Sequence, residues 1–433
     1  MALWKQQAGQ SPSARVRGEA RRALALWVAL VVVGVGRHGD AGAEGLRAGS
    51  ALVATVRVGR APTILAVDGR RGHVFVLSYG PLNPNGVLPR NAAPPASVGM
   101  LDAATGRVLR TIPVVAFPQA LAVDGRIGRA FVSSEGPTGA NGGPGGPGTV
   151  TVLDTTTGAV VATVRLDARV YDAGGGAVAV DEAAGRVYVV VENGVEILDA
   201  TTGRVRRRLH GPFAGAIALA PRAARALIAG NGAVALLDTA RGSALSSVPD
   251  FGGAQAPAVD DRAGRGFFLY GNFHNGTLRA LDLRTGATLY DIPTGPEATT
   301  VAVDAACSRV YVDTYDTGTE LTSIATLDAA TGKKVYAVSL GSHTGLPYRA
   351  SGGEQYQYLA VAEAAGRVFA LTAGPPAGVA GRLLTLDAAT GHILGGVAVG
   401  KDPQAVAVDT QRGRVYVANR GDDTVSVFDA TKL

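Results

Sequence analysis

The chain of 433 residues contains very little cysteine, few charged residues and only two tryptophans, and each shortage narrows the possible function classes. Cys307 is the only cysteine, which excludes an intrachain disulfide and any zinc or iron–sulfur site built from cysteines. Charged residues make up 18% of the chain and apolar residues 47%, so a sizeable core is available. We therefore expect a globular protein in which Cys307 is a small apolar residue in a turn beside a strand.

Enzyme signatures are missing from the sequence as well. The patterns HExxH, GxSxG and CxxC, which place metal ligands, a nucleophile or a redox pair at fixed spacings, do not occur. The histidines never form a local pair that could bind a metal. They are His38, His73, His210, His274, His343 and His392. The sequence remains compatible only with a metal site whose ligands come from distant parts of the chain.

The formal net charge of +6 lies mostly in the first 43 residues. Six basic and two acidic residues precede position 44, which leaves about +2 for residues 44–433. A nearly neutral body lacks the strong basic footprint that phosphate binding requires. We therefore expect no nucleic-acid partner.

Residues 23–36, ALALWVALVVVGVG, form a short apolar run that follows a basic stretch. The run is shorter than the roughly twenty residues of a membrane-spanning helix and suits the apolar region of a signal peptide. We predict that residues 1–43 are a cleaved export signal or an uncleaved signal anchor, and that residues 44–50 are a short linker. The remainder would then be periplasmic, extracellular or at the cell surface, and would contact the membrane only through an uncleaved N-terminal segment.

Glycine is abundant, at 60 residues, and it separates valine-rich runs, a composition that favours short strands and tight turns. Two motifs recur eight times each. The first motif, AVDxxxGRVYV, occurs in close or degenerate form at 66–76, 122–132, 179–189, 218–229, 258–269, 302–312, 360–371 and 407–417. The second motif, LDAATG, contributes Asp102, Asp154, Asp199, Asp238, Asp282, Asp328, Asp387 and Asp429.

Each repeat unit contains four short strands, and the units follow one another at intervals of roughly 40–58 residues. This pattern is typical of a β-propeller, because a four-stranded sheet buries both faces only by packing against neighbouring sheets. We predict an all-β, single-domain propeller of four-stranded antiparallel blades over residues 51–433. Eight blades are expected, and seven are the alternative if the degenerate fourth unit (217–249) fails to form a blade.

The eighth unit has three strands but lacks a fourth after Asp429. Residues 51–58, ALVATVRV, match AVVATVRL (159–166), which is the fourth strand of the second unit. We therefore predict that strand 51–58 completes the last blade and closes the ring, since a closed ring leaves no open sheet edge.

The polar residues of both motifs are interpreted as structural, because a catalytic site does not need eight copies. In the first motif, Asp is expected to accept backbone N–H bonds in the turn and Gly to supply a positive φ. The Arg that follows Gly is expected to lie over this turn and to pair with its Asp. In the second motif, Asp and Thr are expected to organise the hairpin.

These motifs also carry a family resemblance. GRVYVANRGDDTVSVFDA (413–430) resembles the YVTN-type β-propeller repeat of exported and cell-surface prokaryotic proteins. The resemblance covers roughly residues 51–433. It implies a propeller fold and export, and it implies no demonstrated chemistry.

Connectivity divides the propeller into two faces. The first–second and third–fourth turns of every blade share one end, which we call the plain face because these turns are short. The second–third turns and the crossings between blades share the other end, the decorated face. It holds every long insertion, including 80–97, 136–148, 313–323 and 342–357. Because variable loops over a rigid scaffold carry function, we expect binding at the decorated face.

The candidate ligand-binding residues lie in two decorated-face loops of the sixth unit, which are expected to adjoin. They are Asp313, Tyr315, Asp316, Glu320, His343, Tyr348, Arg349, Glu354 and Tyr356. Clustered oxygen atoms of this kind suit a ligand or Ca²⁺, and the alternative is a solvated polar insertion. No catalytic residue and no other cofactor is predicted.

Two enzyme classes are the alternatives to a binding protein. ALDLRTGATLY (280–290) resembles a docking motif of eight-bladed quinone-dependent dehydrogenases, but no unit has its tryptophan and no adjacent cysteine pair exists. Lactonase-like propeller hydrolases are similar in fold, yet no matching set of acids and metal ligands is found. The sequence favours a monomeric, exported, non-enzymatic scaffold whose partner is a protein, a glycan or a small ligand.

Overall fold

A computed structural model describes most of the chain beyond residue 50. The described residues are 51–81, 95–135, 146–170, 176–192, 194–211, 215–230, 233–249, 255–272, 275–295, 298–316, 321–342, 358–372 and 380–433. They belong to one compact unit, Arg47–Leu433. The predicted export segment and linker lie outside the described residues. Within the described ranges, no helix has the length and apolarity needed to cross a bilayer.

The described strands form eight four-stranded antiparallel sheets, which confirms the eight-bladed propeller. Blade 1 contains β2 (Pro62–Asp68), β3 (His73–Ser78), β4 (Ala96–Asp102) and β5 (Val108–Val114). Blade 2 contains β6 (Pro118–Asp124), β7 (Arg129–Ser134), β8 (Thr149–Asp154) and β9 (Val160–Arg165). Blade 3 contains β10 (Val178–Asp181), β11 (Arg186–Val191), β12 (Gly194–Asp199) and β13 (Val205–His210). Blade 4 contains β14 (Ala216–Ala220), β15 (Arg225–Gly230), β16 (Ala233–Asp238) and β17 (Ser243–Pro249).

The second half of the ring repeats this arrangement. Blade 5 contains β18 (Gln255–Asp260), β19 (Arg265–Asn272), β20 (Asn275–Asp282) and β21 (Thr288–Gly295). Blade 6 contains β22 (Val301–Asp304), β23 (Arg309–Asp316), β24 (Leu321–Asp328) and β25 (Lys334–Ser342). Blade 7 contains β26 (Leu359–Ala362), β27 (Arg367–Thr372), β28 (Ala380–Asp387) and β29 (Ile393–Lys401). Blade 8 contains β30 (Pro403–Asp409), β31 (Arg414–Asn419), β32 (Thr424–Asp429) and β1 (Leu52–Arg57). Three short 3-10 helices are Glu363–Ala365, Arg420–Asp422 and Ala430–Lys432.

The ring is closed by β1, as the sequence predicts. β1 pairs antiparallel with β32, so the last blade has the order β1-β32-β31-β30. Asp423 stabilises this ring closure. Its carbonyl accepts a hydrogen bond from the Val58 N–H at 3.0 Å, and its carboxylate accepts one from the Ala61 N–H at 2.9 Å. The seven-blade alternative is wrong, since the degenerate fourth unit forms all four strands of blade 4.

Burial shows how each blade is oriented in the ring. First strands of successive blades contact one another around the whole ring, so they surround its axis. Second strands are buried almost throughout, as in β3 and β7, and their valines and aromatic residues pack between neighbouring blades. Fourth strands such as β9 are largely exposed and form the outer rim. The alternating valine pattern therefore supplies apolar side chains to both faces of each inner sheet.

The repeated arginine of the first motif pairs differently from the expectation. In blade 2, Arg129 Nη1 lies 2.6 Å from Oδ2 of Asp154, the aspartate of the second motif. The first-motif aspartate, Asp124, accepts backbone N–H bonds from its own turn instead. The expected pairing within the first motif is therefore wrong here, and the reason is that the buried Asp124 carboxylate is turned toward the backbone of its turn. The same Arg–Asp pair occurs in blade 8, where Arg414 Nη1 is 3.3 Å from Asp429 Oδ2.

The same arginine also links neighbouring blades. Arg414 Nε donates to the Ala104 carbonyl of blade 1 at 3.3 Å. Two residues further along β31, the buried Tyr416 hydroxyl donates to the Ala103 carbonyl. Similar bonds join Arg186 to the Thr239 carbonyl, Arg225 to the Leu283 carbonyl and Arg309 to the Ala389 carbonyl of the next blade. Inter-blade bonding therefore accounts for the recurrence of the two motifs at these junctions.

The aspartates of the second motif organise the third–fourth hairpins. In blade 6, Asp328 Oδ1 accepts from the Thr331 hydroxyl at 2.8 Å and from the Thr331 N–H at 2.9 Å. The bond from the Thr331 hydroxyl holds the pKa of Asp328 below its usual range. The pKa values of the other seven second-motif aspartates are lowered as well. These carboxylates are used by the fold, as the sequence predicts.

Candidate functional site

The propeller axis is lined by small aliphatic side chains. The middle of every first strand is partly exposed, and it carries Ala66–Val67, Ala122–Val123, Ala179–Val180, Ala218–Leu219, Ala258–Val259, Ala302–Val303, Ala360–Val361 and Ala407–Val408. A propeller enzyme that works at its axis would instead bring acids or histidines from several blades together there. Among the described residues, no group of three or more such side chains is arranged to hold a metal.

The two faces differ in how strands are joined. Turns between β2 and β3, and between β4 and β5, contain a few residues each, and the other blades repeat this spacing at the plain face. The connections between a second and a third strand vary in length, from two residues between β11 and β12 to seventeen between β3 and β4. These strand ends, and those joined by the crossings between blades, all lie at the decorated face, so the length variation is confined to one face.

The predicted site residues fall at this face in blade 6. Asp313 is fully described, and the structure gives the backbone of Tyr315 and Asp316 within β23. The remaining predicted residues lie outside the described residues, and they are Glu320, His343, Tyr348, Arg349, Glu354 and Tyr356. Asp316 pairs with Leu321, and Leu321 pairs with Ser342. The strand ends that flank the two predicted loops are therefore neighbours in one sheet.

Asp313 is a buried carboxylate that is hydrogen-bonded to the residues preceding the first strand of blade 6. Its side chain is 2% exposed. Oδ2 accepts from the Thr299 hydroxyl at 2.6 Å, and Oδ1 accepts from the backbone N–H groups of Thr299 and Thr300. Burial outweighs these bonds and raises the pKa of Asp313 to about 6. Asp313 thus anchors Thr299 and Thr300, which lead into the first strand of blade 6.

A second charged cluster, which sequence reasoning missed, lies between blades 2 and 3. Glu196 is 2% exposed within β12, and its Oε1 accepts from the Asp167 N–H at 2.7 Å. Arg208 Nε lies 2.5 Å from Asp167 Oδ2 and 3.6 Å from Glu196 Oε2. Burial raises the pKa of Glu196. The available signal was a glutamate within the otherwise apolar run VEIL (195–198), because a run without alternation indicates a strand buried on both faces.

Backbone strain is concentrated at the same face. Four residues that each precede a proline adopt a positive φ, and they are Ala61 (φ 52°), Phe117 (φ 55°), Ala256 (φ 50°) and Asp402 (φ 49°). A residue before proline favours extended backbone, and a positive φ is uncommon outside glycine. Each of them lies where a crossing enters the first strand of a blade. Such conformations cost free energy, and they persist because the surrounding ring holds them.

Comparisons with known proteins agree with this fold. A family model described as outer membrane protein assembly factor BamB matches residues 230–428, less than half of the chain. The structure of BamB from Moraxella catarrhalis is 15% identical, with a TM-score of 0.57, and the match covers 87% of this chain and 99% of that one. The structure of the Dos1 propeller is 10% identical, with a TM-score of 0.61, and the match covers 87% and 94%.

A dehydrogenase is among the similar structures as well. Dihydro-heme d1 dehydrogenase NirN in complex with DHE is 14% identical, with a TM-score of 0.54, and the match covers 86% of this chain and 81% of that one. None of the curated proteins matches the chain. Likeness at these identities shows a propeller and leaves the activity undetermined, because propellers serve as scaffolds and as enzymes.

Proposed function

We propose that the protein is an exported, non-enzymatic propeller that binds a partner through its decorated face. The observation that carries this proposal is the contrast between the two possible sites. The middle of each first strand around the axis carries an alanine beside a valine or leucine, whereas the long connections all leave from one face. An apolar axis favours structure over catalysis, and loops over a rigid ring suit recognition.

The family comparisons support an interaction role. The matching family model describes an assembly factor of outer membrane proteins, and it covers blades 5 to 8 almost completely. By analogy, we place this chain in the periplasm or at the outer membrane and expect a protein partner more than a glycan or a small ligand. We also propose membership of the YVTN-type repeat family, which rests on the motif at 413–430.

The proposal also assigns a role to each segment of the chain. Residues 1–43 would direct export, residues 44–50 would link them to the ring, and residues 51–433 would act as a monomer. Charged groups at the decorated face, such as Asp313 in blade 6, would support the partner-binding loops. A Ca²⁺ ion bound by those loops stays a prediction, because most of its expected ligands lie outside the described residues.

Site-specific photo-cross-linking in the native host tests the proposal. A photoreactive residue is placed at Arg165 or Arg382, two exposed positions toward the decorated ends of β9 and β28. Matched probes are placed at Arg107 and Arg284, two exposed positions in plain-face hairpins. We expect discrete heavier protein adducts from the decorated-face probes and none from the plain-face probes, because a partner would be held over one face.

Equal protein adducts from both pairs of probes would contradict the proposal, and so would adducts from the plain-face pair alone. Normal folding of each probe variant is checked by its unfolding temperature. All four positions are exposed, so the probes should not disturb the fold. A difference in adducts between the two pairs then reports on which face binds the partner.

A further inference from the structure

The outer strand of every blade contains a β-bulge at the same place. In blade 1, Leu101 pairs with Val108 and Met100 pairs with Arg110, so Leu109 is the extra residue. Equivalent register shifts occur in the other seven blades. The extra residues are Val53, Leu109, Val161, Arg206, Leu245, Leu289, Val335 and Leu394.

Seven of these eight bulge residues are large and apolar, and all seven are exposed, with exposed fractions from 38% for Leu109 to 49% for Leu394. The other exposed large apolar residues of the described chain are their immediate neighbours Leu52, Val160, Tyr336 and Ile393. We call this set the rim girdle. A bulge alone already blunts a sheet edge, and natural edges use charged residues for this purpose. Edge protection therefore does not explain the apolar side chains.

The rim girdle lies close to the plain face. Seven of the eight bulge residues are the second residue of their outer strand, as Leu109 is in β5 and Leu394 is in β29, and Leu245 is the third residue of β17. Strands rise by roughly 3.3 Å per residue, so these side chains lie within about 10 Å of the plain-face turns.

The plain-face turns themselves expose only one sign of charge. Ten basic residues of these turns are exposed, and they are Arg70, Arg107, Arg126, Arg204, Arg222, Arg241, Arg262, Arg284, Lys333 and Lys432. No acidic residue of these turns, all of which are described, is exposed to the same degree.

The acids of the first–second turns are engaged by the neighbouring blades. Each carboxylate accepts a backbone N–H from the preceding blade at 2.9–3.0 Å, in the pairs Glu182–Gly125, Asp261–Arg222 and Glu363–Ala305. Second-motif aspartates are bonded within their hairpins, as Asp328 is. The face that solvent meets is therefore cationic, although the body as a whole is nearly neutral.

We infer that the plain face docks on an anionic lipid bilayer, with its exposed cations at the headgroup phosphates and the rim girdle, set back toward the decorated face, against the outer part of the headgroup layer. Peripheral membrane proteins combine these two features, since basic residues bind anionic headgroups while nearby apolar side chains leave water. The rim girdle surrounds the cationic turns of the plain face, and this arrangement suits a flat membrane surface. The decorated face then points away from the membrane.

A nucleic acid is the less favourable occupant. Phosphate backbones attract cations, but they offer nothing to seven exposed aliphatic side chains that surround those cations. A bilayer uses both features at once. The inference goes beyond the proposed function, because it assigns a role to the face that the binding proposal leaves unused.

Vesicle binding by the full-length protein tests this docking surface. The variant Arg70→Gln/Arg107→Gln/Arg126→Gln/Arg284→Gln is compared with the wild type on vesicles of phosphatidylcholine with phosphatidylglycerol. Each basic residue at an anionic surface contributes roughly a fivefold factor, so the four replacements together should lower the partition coefficient by roughly 600-fold. The N-terminal segment is identical in both proteins and contributes equally.

A matched control removes the same charge from the opposite end. Arg57, Arg60, Arg165 and Arg382 are exposed cations toward the decorated face. Their fourfold replacement by Gln should leave vesicle binding within a factor of a few. An equal loss in both variants would overturn the inference, and so would wild-type binding by the plain-face variant. Loss of binding to a DNA duplex with vesicle binding retained would also overturn it, in favour of a nucleic acid.

A probe of depth separates docking from loose adsorption. In a Cys307→Ala background, a polarity-sensitive dye is attached to Leu394→Cys in the girdle or to Ala398→Cys. Both positions are exposed on β29, and Ala398 lies four residues closer to the decorated face. Anionic vesicles should shift the emission of the girdle probe to the blue and leave the control probe unchanged. Equal behaviour of the two probes would overturn the inference.

Discussion

Deletion of residues 51–58 from the full-length chain is expected to abolish the cooperative unfolding of the propeller. The deletion removes β1, which pairs with β32 over five register positions from Leu52 to Arg57. It also removes Val58, whose N–H bonds to the Asp423 carbonyl, and opens the ring between blades 8 and 1. Each lost hydrogen bond is worth about 1 kcal/mol, so the loss approaches the whole stability of an ordinary domain. Chemical denaturation followed by circular dichroism measures it.

A chain in which the strand is moved provides the control. Residues 51–58 are placed directly after Leu433 instead of before residue 59. Five residues then separate Asp429 from Leu52, and five separate the equivalent Asp102 and Val108 in blade 1. The Asp429 N–H already bonds to the Ala51 carbonyl, as the Asp102 N–H bonds to Arg107. The moved strand should restore cooperative unfolding. A stable deletion variant, or a moved strand without effect, would contradict closure by β1.

Replacement of Asp313 by Asn is expected to stabilise the protein at pH 8 by up to about 3 kcal/mol. The folded-state pKa of Asp313 is about 6, against 3.8 for the ordinary group, and each pKa unit corresponds to about 1.4 kcal/mol. A raised acid pKa means that stability is present below pH 4 and is lost as the pH rises through 6. Asn carries no charge, and its oxygen and amide can satisfy the N–H groups and hydroxyl that Asp313 now binds.

The pH dependence gives the decisive comparison for this position. The gain of Asp313→Asn should vanish near pH 4, because the wild-type carboxyl is then neutral. Asp328→Asn in the same blade should behave in the opposite way, because the Thr331 hydroxyl lowers the pKa of Asp328. That variant should be less stable than the wild type at pH 8 and approach it in acid. A loss of stability in Asp313→Asn at pH 8 would show that its hydrogen bonds outweigh its burial.

The fold could be predicted in detail because its repeats encode it. The spacing of two motifs gives the blades, and the match between 51–58 and 159–166 gives the closing strand. The partner of the repeated arginine could not be predicted, since Arg129 has both Asp124 and Asp154 opposite it in the ladder. Only the direction of the Asp124 carboxylate, set by burial and its turn, decides between them.

The candidate functional features were harder to predict, because the two motifs do not mark them. The sequence predicts Asp313 as a ligand residue, and in the structure its oxygens are bonded to Thr299 and Thr300 at the start of blade 6. Glu196 gave no motif, and its burial depends on two blades meeting. The rim girdle was invisible because a bulge shifts alternation by one residue, which moves an apolar side chain such as Leu109 outward.

We propose that this propeller acts as a scaffold and carries no catalytic cofactor. The most direct test is the stoichiometry of transition metals and quinones in the protein purified from its native host, by elemental analysis and by absorbance after denaturation. The account predicts values far below one equivalent per chain. A transition metal or a quinone close to one equivalent would contradict it and would favour the hydrolase or the dehydrogenase alternative.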